Sequence, residues 1–199
     1  MRSFTIAILI PATVALIVLA LANRIRGEGV LWRGVVIGAV AGLLAACAYD
    51  VFRLPFVIAA VDGVGPDWLR LPLFKVFPRF GAMILGQPFD AATRDSQFTL
   101  AAHLVGWIYH FSNGITFGVM YLALVGDVAR RSWLWAVLFA TGLELAMLVT
   151  PYTSFFGIHM TTRFVIVTFA AHAIFGVSLG LAAKWLANMW PIHRRLLTT

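Results

Sequence analysis

Apolar residues along the chain gather into five long runs, 4–21, 34–51, 98–125, 133–149 and 164–186, with the last boundary of several of them approximate. A helix rising about 1.5 Å per residue needs roughly 17 to 25 residues to cross a hydrocarbon core of about 30 Å, and each run reaches that length. No alternation of the kind a half-buried strand requires competes with them. A helix also pairs every backbone amide within its own segment, as lipid demands. The pattern therefore predicts an all-α polytopic membrane bundle of about five transmembrane helices, a single domain over 1–199. The first run has a second reading as a signal peptide, with Arg2 ahead of it and Ala20 and Ala22 at a cleavage-like position. Pro11 inside the run favours a retained helix.

Between the second and third runs, residues 55–97 mix Asp62, Asp67, Arg70, Lys75, Arg79, Asp90, Arg94 and Asp95 with aromatics and prolines. That composition suits a long outer loop containing an interfacial or re-entrant segment. Pro55 is expected to end the second helix.

Composition agrees with the pattern. Of 199 residues 61% are hydrophobic and 12% charged, and the mean hydropathy is +0.92, too little polar surface to cover a water-soluble domain. The net charge of +7 comes from cations scattered through short loops at run ends. Topology and anionic headgroups explain such cations, so membrane lipids are the expected partners and nucleic acid is not. The side holding 22–33, 126–132 and the C-terminal tail carries Arg24, Arg26, Arg33, Arg130, Arg131, Lys184, Arg194 and Arg195 against Glu28 and Asp127. This places the C-terminus in the cytoplasm and the N-terminus outside, in a bacterial inner membrane. The single cysteine, Cys47, excludes a disulfide framework and a cysteine-based metal site.

Helices in lipid pack through small residues. Gly34, Gly38 and Gly42 recur at four-residue steps in the second run, Gly114 and Gly118 in the third, and Gly176 and Gly180 follow His172 in the fifth. These rows predict helix contacts, within the chain or through a homo-oligomer or a larger membrane complex.

Ionisable groups inside spans are costly, and each is a candidate functional group. Asp50, Arg53, His103, His110, Asn113, Glu144 and His172 all fall in the outer half of their runs, on four helices, which predicts a polar network or a pocket for a small ligand or proton. Desolvation in a dry core would favour neutral Glu144, whereas a contact with Arg53 or a histidine would keep it charged. His159 and Arg163 are expected in the outer loop. His103 and His110 stand about 10.5 Å apart along a helix axis, too far to share a metal ion. A b-type haem instead takes axial histidines from two helices, for which His103 or His110 with His172 would serve. The formal G-x-S-x-G at Gly176, Ser178 and Gly180 lies within a helical run and lacks the strand and turn of a nucleophile elbow. No phosphate loop or metalloprotease motif occurs, so enzymatic activity is not supported and the cofactor stays unassigned.

Ala101, His103 and Trp107, an aromatic end at Tyr121, a basic loop, Trp133 opening the next run, Pro151 closing it and the approach to His172 together resemble YagU-like bacterial inner-membrane proteins. The resemblance covers about half the chain, the third to fifth runs. It implies an inner-membrane protein linked to acid tolerance, with no catalytic residues to carry over. The second histidine comes earlier here than in that pattern. The readings that follow are a non-enzymatic ligand-binding, proton-binding or accessory subunit, a haem-bearing electron-transfer subunit, and a proton-coupled small-solute transporter.

Overall fold

The computed structural model describes residues 21, 29–90, 92–156, 158 and 160–190. The first apolar run, apart from Leu21, lies outside the described residues, as does His159. Among those described, the chain is all-helical: α1 (Val30–Asp62), α2 (Val76–Leu85), α3 (Leu100–Val125), α4 (Leu134–Val149), the single turn α5 (Tyr152–Phe155) and α6 (Thr162–Met189). Three of these, α1, α3 and α6, are long and apolar enough to cross a membrane, and α4 is a shorter apolar helix of 16 residues.

The second run is longer than its apolar pattern suggested. Pro55 does not end it: α1 continues for seven further residues and stops at Gly63, whose φ of 66° is the left-handed conformation that glycine adopts without strain. Proline removes one donor and crowds the preceding turn, but an apolar helix supported by neighbours tolerates both. Arg163, expected in a loop, stands instead in the first turn of α6, after Thr161 caps the Phe164 amide at 3.1 Å.

The helices pack side by side in the order α2, α3, α1, α6, α4. The contacts are made by small residues. A Cβ on Gly42 would lie 2.1 Å from the Gly114 carbonyl oxygen, and one on Gly118 would lie 2.0 Å from that of Gly38, so α1 and α3 meet backbone to backbone. Gly176 and Gly180 give α6 the same approach to Val137 of α4 and to Trp133, the residue that precedes it. Most of the glycine row on α1 is thus consumed inside the chain rather than left for a second copy, while Gly34 faces open space. The buried core is rich in alanine (Ala41, Ala45, Ala136, Ala140, Ala171, Ala183), whereas Leu43, Leu44, Ile108, Leu138 and Ile166 point outward.

At the end where α1 finishes and α3 starts, here the upper end, residues 63–86 turn back into the bundle. The Leu71 amide donates to the Phe56 carbonyl at 3.3 Å and Arg53 donates to the Leu73 carbonyl, so the chain descends alongside α1. It then climbs as α2 against α3, with Gly81 on Ala102 and Phe77 on Gly106 so close that neither glycine has room for a Cβ. Residues 63–86 are therefore a re-entrant segment, reaching the level of Arg53 and His110. At the lower end Tyr121 packs on Phe139, and Arg33 caps the end of α6 through the Ala187 carbonyl at 2.5 Å and that of Trp190.

Candidate functional site

Two pairs of ionisable side chains stand in the upper half of the bundle. Asp50 and Arg53 are one turn apart on α1, with carboxylate and guanidinium 3.5 Å apart. The second oxygen of Asp50 accepts from His110 Nε2 on α3 at 2.8 Å. Arg53, 4% exposed, also lies over the rings of Tyr49 at 4.6 Å, Phe74 at 5.1 Å and Phe77 at 5.5 Å. Aromatic faces and a carbonyl acceptor offset part of the cost of burying that cation.

The second pair is Glu144 of α4 with His172 of α6, at 3.2 Å. The small-residue row on α6 is what brings these helices close enough. His172 Nδ1 also lies 2.9 Å from the Thr168 carbonyl oxygen. Both neighbours of that nitrogen accept hydrogen bonds, which assigns the proton to Nδ1. Glu144 is 3% exposed, and the histidine is the group that meets it.

Tyr49 joins the two pairs. Its ring packs edge-on against His172 with centroids 5.0 Å apart and tilted against His110 at 5.9 Å. Sequence reasoning passed over this residue, because an aromatic inside an apolar run carries no signal of polarity. It passed over Arg79 as a site residue for another reason: α2 reads as loop. Arg79 is buried and donates to the Phe156 carbonyl, and the Thr93 carbonyl lies 3.5 Å away.

His103 and Asn113 do not join the cluster. His103 sits near the start of α3 with Nε2 3.3 Å from the Asp95 carbonyl and its ring against Phe98. Asn113 takes part in neither ionisable pair. A haem held between His110 and His172 would have to displace the Tyr49 ring that packs on both, and His103 is occupied elsewhere; these residues do not fit a bis-histidine haem. Among the described residues no group of three His, Cys, Asp or Glu side chains converges as a metal site.

Beside the two pairs lies a cleft of about 420 Å³, walled by α1, the re-entrant segment, α4, α5 and α6. Tyr49, Arg53, Glu144 and His172 form its inner wall, Thr168 and Met147 its sides, and Arg163 stands nearer the mouth. Arg163 donates to the Asp67 carbonyl, and Arg70 lies across from it. Three arginines, 53, 79 and 163, thus donate to backbone carbonyls that lie outside the α-helices. Away from the helices, the Thr93 hydroxyl beside Asp90 holds that carboxyl below the usual range.

No family model, no characterised protein and no solved structure matches the chain.

Proposed function

We propose that this is a multi-pass protein of the bacterial inner membrane, upper end outside and C-terminus cytoplasmic, whose upper cleft binds a small amphiphilic solute without chemically changing it. The membrane reading is supported by the inverted composition of the fold. Small residues are buried and large aliphatic ones face outward on every long helix, the arrangement that pays off only where lipid replaces water. Arg33, Arg130, Arg131, Lys184, Trp133, Trp185 and Trp190 gather at the lower end, as a cytoplasmic boundary with an aromatic belt would have them.

The observation that carries the binding function is the cleft. It is lined by apolar and polar side chains in about equal number, and its volume lies within the range of about 300 to 1,000 Å³ common for small-molecule sites. Two ionisable pairs fix its inner wall.

The test is native mass spectrometry of the protein taken from its own membrane into detergent and stripped of micelle in the gas phase. A bound species of a few hundred daltons is expected on the wild type and not on Met147→Trp, which fills the cleft. A bare wild-type mass, or the same adduct on both proteins, overturns the reading.

A further inference from the structure

The cleft has a marked charge imbalance. Four cationic side chains line it, Arg53, Lys75, Arg79 and Arg163, against the single carboxylate of Glu144, which His172 already meets. Arg53 shares Asp50 with His110, and its Nε is buried with no hydrogen-bond partner. Lys75 ends a 3₁₀ turn, Leu73–Lys75, that runs directly into α2. It is exposed and lines the cleft, and its ammonium forms no hydrogen bond or ion pair among the described residues. An ammonium carried this far down by a re-entrant segment needs water or an anion as its neighbour.

The backbone adds to the same potential. α2 starts at Val76, in the cleft wall, with no acidic residue in its first turn and no side chain capping it. The positive end of its dipole therefore meets Lys75 and Arg53 uncompensated. Around these cations the walls are apolar: Leu71, Leu73, Leu148 and Phe164.

Building on the binding function above, we infer that the ligand is an anionic amphiphile, a phosphate or carboxylate head seated against Lys75, Arg53 and the start of α2 with its apolar portion along Leu148 and Phe164. A phospholipid headgroup and a free phosphate-bearing solute share this head chemistry. The cation surplus selects for charge, and the apolar walls select for the tail.

The experiment uses the full chain in nanodiscs of neutral phosphatidylcholine, with Cys47→Ala and Met147→Cys so that a water-soluble methanethiosulfonate reports on the cleft. Dioctanoyl phosphatidic acid is expected to slow the labelling, and dioctanoylglycerol, which has the same tails and no phosphate, is not. Inorganic phosphate protecting at a comparable concentration would identify a free anion as the source and overturn the apolar-tail part of the inference. In a Lys75→Gln background the half-protective concentration should rise about tenfold, the scale of one lost charge-assisted hydrogen bond, whereas Lys75→Arg should keep protection near the parent value. Equal protection by phosphatidic acid and dioctanoylglycerol, protection by none of the three, or a Lys75→Gln protein indistinguishable from its parent overturns the inference. If the cysteine is never labelled, the cleft itself, and with it the proposed function, fails instead.

Discussion

Asp50 is the residue on which the most local structure depends. One oxygen faces Arg53 and the other His110, so it ties α1 to α3 and neutralises a cation that is almost wholly buried. Asp50→Asn leaves Arg53 without a carboxylate and should destabilise the fold by about 3 kcal/mol, the scale of breaking a buried ion pair by removing one partner. Unfolding in mixed micelles of increasing SDS fraction measures it; a loss well under about 1 kcal/mol would show that Tyr49, Phe74 and Leu73 suffice for Arg53. That Asp50, Arg53, His110, Glu144 and His172 are polar groups at similar depth was legible in the sequence, because they stand out against apolar runs. Their pairing was not. His103 shares nearly the same face of α3 as His110, yet lies two turns nearer the upper end, where its neighbour is the 95–98 turn and not α1. Depth along the helix separated these residues more than facing did.

Among the elements, the contact between α1 and α3 was readable from four-residue glycine spacing, and the structure adds which glycines are consumed by it. Gly42 has no room for even one carbon, while Gly34 on the same row has nothing within 4 Å. Gly42→Ala should therefore cost at least about 2 kcal/mol by forcing the backbones apart, and Gly34→Ala should stay within about 1 kcal/mol of the parent. The same SDS titration distinguishes them; two equal effects would contradict the backbone contact. The re-entrant segment was the least legible element. Lys75, Arg79 and three prolines, Pro66, Pro72 and Pro78, dilute its apolar signal below that of a span. What drives it inward is long-range: Gly81 and Gly106 permit α2 to lie against α3, and Arg53 supplies the donor its turn needs. Neither cause is visible in a local window. Pro55 illustrates the converse, a local breaking signal overridden by a helix with neighbours on two faces.

At the scale of the whole molecule, four long elements alternate in direction and close through Tyr121 and Phe139 at the lower end, while the upper end opens into the cleft. The all-α class followed from run length; of the five runs, three stand among the described residues as helices long enough to span, a fourth is a shorter helix, and the first lies beyond the described residues. A pocket or polar network was expected from the polar residues in the upper half of the runs; its walls were not, because residues 71–79 and 153–156 reach it from segments that read as loop. In the proposed function this cleft is a water-accessible recess, open to the outer face, in a protein otherwise surrounded by lipid. The most direct test labels single cysteines in intact cells with a membrane-impermeant methanethiosulfonate, comparing Met147→Cys inside the cleft with Leu138→Cys on the outward apolar face, both in a Cys47→Ala background. The expected result is labelling at 147 from outside the cell and none at 138; an unreactive 147, or equal reaction at both positions, would contradict it.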